Sequence, residues 1–308
     1  MKKISVIVVV YNAVSIIDKM ISSLQMQDFE DFEIIIVDDG STDGTGQHCD
    51  DLAKTDSRIR VIHQNNQGVS AARQKGMDSA AGEYLIHADA DDYVENGMLR
   101  ALYATAVEQN ADVVFCNYYS DESDGRIMLH IQKPSENPFD TLIAMLHGLH
   151  GSCWNKLVKH STLKKYKVRF PDGLNYCEDL LTWVQLFQHP EVKIAYVDKA
   201  FYHYVANPVS VTRLGSFKML ETIKLFTKKM TNALPKDNET INKYIATLPI
   251  APFQYALQHQ LVSNKESRAE YKRLRKIIWS DTHSIRWMCG YIMIELNLMS
   301  IARMLIKL

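Results

Sequence analysis

Tyr84-Leu85-Ile86-His87-Ala88-Asp89-Ala90-Asp91-Asp92-Tyr93 reads as a short buried strand that runs into three carboxylates within four positions. So much negative charge on one turn persists only where a cation sits against it or water solvates it fully. In an open α/β sheet, ligands collect at the carboxyl ends of the strands. Asp89 and Asp91 are therefore expected to hold a divalent cation, and the cation a diphosphate. The chain on the N-terminal side repeats this strand-then-polar pattern. Ile4 to Val10 is one apolar run, Phe32 to Val37 a second and Arg60 to His63 a third. Between them, Ile16, Ile17, Met20, Ile21 and Leu24 recur at helical spacing, with Ser15 as the expected N-cap. A polar helix and a small-residue helix over Val69 to Ala81 complete the alternation. Strand and helix alternating at this rhythm imply parallel β-α-β units and a doubly wound α/β sheet.

Beyond Tyr93, a helix is expected over Asn96 to Asn110 and a strand over Asp112 to Tyr118. Arg126 to Ile131 reads as a hairpin return, and Leu142, Met145, Leu146 and Leu149 mark a further helix. Glu178 to Phe187 is a helix with two acids at its N-terminal end, and Lys193 to Val205 reads as strand, turn, strand. From Ser216 the chain turns helical and rich in Lys and Arg. The expected division is a catalytic domain over 1–215 and a helical region over 216–308.

Bulk properties narrow the class. With 308 residues, 46% apolar and 23% charged, the chain matches an ordinary soluble protein. A net charge of −1 argues against general nucleic-acid binding. Five scattered cysteines without C-x-x-C spacing argue against a zinc knuckle or a disulfide framework, and fit a reducing, cytoplasmic compartment. Lys2-Lys3 before an apolar run imitates a signal peptide, but the run ends after seven residues at Tyr11-Asn12 and reads better as a strand. No run reaches the roughly 18 apolar residues of a membrane span. From Trp287 to Ala302 the one formal charge is Glu295, with Arg286, Arg303 and Lys307 on the flanks. Residues 286–308 either lie on the inner face of the cell membrane as an amphipathic helix or pack back on the catalytic domain, and packing is the favoured expectation.

A second acidic turn, Asp38-Asp39-Gly40-Ser41-Thr42-Asp43, follows the second strand and should share an edge with the first. Ser41 and Asp43 are expected to make turns and caps. Asp39, Asp89 and Asp91 exceed what caps require. Hard oxygen donors in that number suit Mg²⁺ or Mn²⁺, which would stand between the carboxylates and a diphosphate and stabilise its departure.

Val8-Val9-Val10-Tyr11-Asn12, Val37-Asp38-Asp39-Gly40-Ser41-Thr42-Asp43, Gly68-Val69-Ser70-Ala71-Ala72-Arg73 and Asp89-Ala90-Asp91-Asp92 occur in one order and spacing. In this the chain resembles family 2 glycosyltransferases of the GT-A fold, of the kind that builds bacterial polysaccharides. The resemblance is close over about the first 120 residues and looser through Cys177-Glu178-Asp179 and Tyr202-His203-Tyr204. It implies a Rossmann-like, mostly parallel sheet, with a nucleotide-sugar half over 1–118 and an acceptor half over 119–215. Tyr11 and the backbone around Val9 and Val10 would line a base, with Asp38 beside them and Asp39 accepting the uracil N3–H. Arg73 would approach the uridine or its phosphates. Asp89, Ala90 and Asp91 would match the family's D-x-D, in contact with ribose and metal, with Asp92 as a further ligand. Gln74 departs from the family, which usually has Asn after the Arg. Asp179 would be the base of an inverting transfer from a UDP-sugar to a glycan or lipid-linked glycan, and Glu178 its helper. His203 and Arg213 are weaker candidates for the metal or diphosphate, and Trp154 and Lys156 for an acceptor pocket. A sugar-phosphate nucleotidyltransferase and a nucleotide-sugar-binding protein without turnover are the rival readings.

Overall fold

The structure, a computed structural model, describes residues 2–206, 215–281 and 284–307. The chain divides into two compact units, 1–208 and 209–308. In the first unit the elements run β1 (Ile4–Val10), α1 (Ile17–Gln25), β2 (Phe32–Asp38), α2 (Thr45–Thr55), β3 (Ile59–His63), α3 (Val69–Ser79), β4 (Tyr84–Asp89), β5 (Tyr93–Val94) and α4 (Met98–Glu108). They continue with β6 (Val113–Asp121), β7 (Ile127–His130), α5 (Pro138–Leu146), β8 (Lys156–Lys159), α6 (His160–Lys165), α7 (Glu178–Phe187) and β9 (Ile194–Val205).

The strands form one mixed sheet in the order β3-β2-β1-β4-β8-β6-β9-β5, with β7 paired to β6. Its first half is parallel, as the β-branched runs imply. β1 lies between β2 and β4, with Val10 opposite Asp38 and Val9 opposite Asp89, so both acidic turns leave the sheet beside the end of β1. Beyond β4 the sheet changes character: β8 is antiparallel to β4 and β6, and β9 is parallel to β6. The strand-turn-strand expected over Lys193 to Val205 is one twelve-residue strand. The register slips between Cys116 and Tyr118, whose partners jump from Val197 to Ala200 to Tyr202. Asp198 and Lys199 thus sit at a bulge and do not end the strand.

Alternate residues of β1 face opposite layers. Val6, Val8 and Val10 pack with Ile17, Met20, Ile21 and Leu24 of α1 and Leu99 and Leu102 of α4. Ile7 faces α3, where a Cβ on Gly76 would come 2.3 Å from Ile7 Cγ2, so only glycine permits that helix to lie so close. Ser15 does not cap α1. Its first turn is closed by Ile16 N–H and Ile17 N–H donating to Ala13 O.

The second unit holds α8 (Phe217–Ala233), α9 (Glu239–Thr247), α10 (Ile250–Gln258), α11 (Asn264–Asp281), α12 (Ile285–Glu295) and α13 (Met299–Lys307). The apolar stretch from Trp287 to Ala302 is a helical hairpin. It packs through Tyr291, Ile294, Met299, Ala302 and Ile306 onto Phe253, Leu257, Tyr271, Leu274 and Ile278 of its own unit. No helix among the described residues is long and apolar enough to cross a membrane.

Candidate active site

The turn after β4 is built on a tyrosine. Tyr202 of β9 accepts a hydrogen bond from Asp89 N–H (3.0 Å) and donates to Asp92 Oδ2 (2.7 Å), while Val205 N–H donates to Asp92 Oδ1 (2.8 Å). Burial, with the charge of Asp89 beside it, pushes the Asp92 carboxyl up to about 8. Both oxygens of Asp92 are thus engaged by β9, an arrangement of an anchor rather than of the expected outward ligand. Asp91 is half-buried and Ala90 buried. Trp154 is buried and stacks on Tyr202 at 4.3 Å, a place in the core beneath the turn rather than in a pocket wall. His203 is held at both ring nitrogens, by Asp121 (2.8 Å) and Glu95 (3.0 Å), and stacks on Tyr93. Arg213 lies outside the described residues.

Arg73 stands at the centre of the site. The start of α3 is set by Asp39, which accepts from Gln67 N–H (2.9 Å), Gly68 N–H (2.8 Å) and Gln64 Nε2 (2.7 Å). Gly68 has φ +88°, which a side chain rarely adopts. One turn on, the buried guanidinium of Arg73 donates Nη2 to Asp89 Oδ1 (2.8 Å) and Nη1 to both Glu178 and Asp179 at the head of α7. Among the described residues no other cation is bonded to these three acids. Burial raises the Glu178 carboxyl to about 7, with Arg73 opposing it and the charge of Asp179 adding to it. Burial raises Asp179 too, again against Arg73. His87 lies buried against Phe170, and burial together with Arg73 keeps its ring neutral.

Asp179 has a second anchor in the Cys153 N–H, which donates to its Oδ2 at 3.0 Å. The segment carrying Cys153 is itself held from below. The fully buried Lys156 donates to His150 O (2.8 Å), Ser152 O (2.8 Å) and Asn155 Oδ1 (2.6 Å), and Trp183 Nε1 donates to Ser152 O (3.1 Å). Burial pushes the Lys156 ammonium down to about 7. Lys156 is therefore a core brace and not a pocket residue. Sequence reasoning missed this backbone donor and its brace, and apart from a lysine near the expected acids it offered no signal for them.

The end of β1 completes the edge. Tyr11 is 52% exposed and Val9 half-buried. Asn12 bridges to the second acidic turn: its N–H donates to Ser41 Oγ (2.9 Å), and its Oδ1 accepts from Thr42 N–H (2.8 Å). Asp43 accepts from Val14 N–H (3.2 Å) and Thr45 N–H (3.0 Å), so Ser41 and Asp43 make turns and caps as expected. Asp38 accepts from Ser41 N–H and pairs with His63, both at 3.0 Å. Burial pushes its carboxyl upward, but those two partners together outweigh burial and hold it below its ordinary value.

Among the described residues no group of three His, Cys, Asp or Glu side chains is arranged to hold a metal. Asp89 meets Arg73 through Oδ1, and Asp91 follows two positions on. Two carboxylates suit Mg²⁺ or Mn²⁺, which take one or two protein oxygens and complete their shell with phosphate and water. The donor set fits that mode and not a closed all-protein cage.

A sheet with a parallel first half and a mixed second half, and with acidic turns beside its first strand, is the GT-A architecture. Residues 1–349 of Staphylococcus aureus TarS share it, with a TM-score of 0.66 at 20% identity, covering 99% of this chain and 90% of that one. The sequence pattern described as glycosyl transferase family 2 matches residues 5–167, and the chain belongs to that family. The uncharacterized glycosyltransferase EpsJ of Bacillus subtilis is 33% identical over 218 residues, 68% of this chain and 63% of EpsJ. Glycosyltransferase GlyA of Streptococcus pneumoniae is 33% identical over 234 residues, 72% of this chain and 33% of GlyA.

Proposed function

We propose that this chain is an inverting glycosyltransferase that moves a sugar from a UDP-sugar to a hydroxyl of a glycan or lipid-linked glycan in cell-surface polysaccharide synthesis. The observation that carries the reading is the convergence of Asp89, Glu178 and Asp179 on one buried arginine, from segments about ninety residues apart in the chain. Three acids on one arginine leave excess negative charge where a diphosphate would arrive, which favours a site completed by a further cation. Asp89 and Asp91 would hold Mn²⁺ or Mg²⁺, which supplies positive charge to the departing diphosphate.

Tyr11, Val9 and the turns at Asp38 and Asp39 would receive the nucleotide. The carboxylate of Asp39 already serves the loop before α3, so its contribution is to shape that loop as well as to meet the base. We assign Asp92 to holding the turn. Asp179 is the base: burial raises its carboxyl and makes it a stronger proton acceptor than a free aspartate, while Arg73 opposes that rise and favours the ionised form. It takes the proton of an acceptor hydroxyl as that oxygen bonds to the anomeric carbon, and the carbon–oxygen bond to the diphosphate breaks on the opposite face. Glu178 is tied to Arg73 and pushed toward neutrality, which suits a helper better than a nucleophile. TarS was also crystallised with UDP-GlcNAc, which supports the choice of a UDP-linked donor.

UDP release from a set of UDP-sugars, with Mn²⁺ or Mg²⁺ and with EDTA, tests the assignment. Release that needs the metal, is lost in Asp91→Ala, and is lost in Asp179→Asn while UDP binding persists is the expected pattern. Undiminished turnover in EDTA would sink the metal assignment. Unchanged turnover in Asp179→Asn would sink the base.

A further inference from the structure

We infer that the helical hairpin of α12 and α13 is a docking surface for an anionic lipid bilayer. The hairpin has two faces. The inner one is buried against α10 and α11. On the outer one, Ile285 and Ile292 of α12 and Leu296 at its C-cap recur along one side of the helix and are exposed, as are Leu298 just before α13 and Ile301 and Met304 within it. These six exposed apolar side chains within residues 285–304 make up the plate, and they exceed the isolated exposed residues normal on a soluble surface.

Charge selects the occupant. Residues 209–308 carry sixteen Lys and Arg against seven Asp and Glu, although the whole chain has a net charge of −1. The positive charge is therefore concentrated in the helical unit. Several of these cations border the hairpin. Arg268 donates to Asn297 O and Arg303 to Val262 O, each with its Nε buried, while Arg286 is exposed in the first turn of α12. Glu295, the single acid of the hairpin, is exposed but paired with Arg275, so the two together add no net charge to the border. An apolar plate with a basic border suits insertion at the headgroup boundary of a bilayer rich in anionic lipid. A second copy of the same plate would bring like charges together at that border.

This deepens the reading above in one respect, since a surface-bound enzyme would meet an acceptor that is itself anchored in the membrane. The test uses neither donor nor acceptor, so its outcome is independent of whether transfer occurs. The full chain is floated with vesicles of phosphatidylcholine alone and with about 30% phosphatidylglycerol, at low salt and at about 0.5 M salt. Binding to the anionic vesicles alone, weakened by salt, is expected. Leu296→Glu/Met304→Glu changes two side chains exposed by 60% and 59%, and should weaken binding about tenfold or more. Arg286→Glu, a charge change without loss of apolar area, should weaken it less and reduce its salt dependence. No binding by the unaltered chain overturns the proposal. So does a dimer that Leu296→Glu/Met304→Glu converts to monomer without any vesicle binding having been present.

Discussion

Replacing Arg73 by Met removes the one cation that, among the described residues, is bonded to Asp89, Glu178 and Asp179, and leaves side-chain volume in its place. Breaking a buried ion pair from one side costs about 3–5 kcal/mol where the stranded charge must stay. Here the three acids have different ways out. Glu178, already raised to about 7, neutralises at pH 7 for little extra. The Asp89 side chain is 30% exposed and keeps part of its water. Asp179 is buried, and its ordinary value of 3.8 lies about three units below pH 7. At about 1.4 kcal/mol per unit, protonating it there costs roughly 4 kcal/mol. Because burial has already raised Asp179 in the native protein, part of that cost is present before the substitution. The expected loss at pH 7 is therefore about 2–4 kcal/mol.

The sign with pH follows from linkage. Without Arg73 the folded-state carboxyl values rise further above the unfolded ones, so the variant's folded state holds extra protons across the window between them. Stability of the variant relative to the native chain is retained at low pH and lost as pH rises toward the raised values. At pH 5 the ceiling falls to under about 2 kcal/mol, and the loss should be roughly 1 kcal/mol. Urea unfolding at pH 5 and pH 7 measures this. In a Trp279→Phe/Trp287→Phe background, Trp154 and Trp183 report on the first unit alone. A loss equal at both pH values, or below about 1 kcal/mol at pH 7, would refute the account of Arg73 as the counter-charge of the site.

Three further outcomes are expected. Asp179→Asn should lower the rate of transfer by about 10²–10⁴-fold with donor KM little changed, because it removes a proton acceptor and not a binding group; single-turnover kinetics reads the split. Asp92→Asn should cost less than about 1 kcal/mol near pH 7, since the native carboxyl is already largely neutral there, whereas Asp92→Ala strands Tyr202 OH and Val205 N–H and should cost about 2–3 kcal/mol in urea titrations. Lys156 is held down to about 7, so the folded chain binds fewer protons than the unfolded one from there up to 10.5. Measured against Lys156→Met in urea titrations, the native first unit should therefore gain stability as pH rises through that window, by up to about 1.4 kcal/mol per unit.

The parallel half of the sheet was legible because β1, β2 and β4 are buried on both faces and each is followed by a polar turn. Ile4–Val10 and Glu178–Phe187 match their expected spans to the residue. The antiparallel half was less so. β8 is four residues with a lysine at each end, and β5 only two, so neither carries a periodicity to read. Their strand character comes from partners distant in sequence, Lys156 to Lys159 from β4 and β6 and Tyr93 from His203. Asp198-Lys199 looked like a turn because a bulge and a turn draw on the same polar residues. The helical hairpin was read as one amphipathic stretch. Asn297, at φ +66°, breaks it in a conformation that asparagine tolerates better than most residues.

At the site, residue types were legible and relations were not. A motif names Asp89 and Asp179 as acids but cannot say that one arginine holds both, because Arg73 lies 16 residues from the first and 106 from the second. Nor can it distinguish Asp92 from Asp91. They are neighbours on one turn and chemically identical, and what separates them is Tyr202, brought in from the far end of the first unit. Tyr202 bonds to Asp89 N–H and to Asp92 at once, so it fixes where the strand ends and the turn begins. A hydroxyl that serves both groups couples the geometry of Asp89 to the burial of Asp92. Removing it in Tyr202→Phe should therefore move Asp89 relative to Arg73 even though the ring, stacked on Trp154, stays in place.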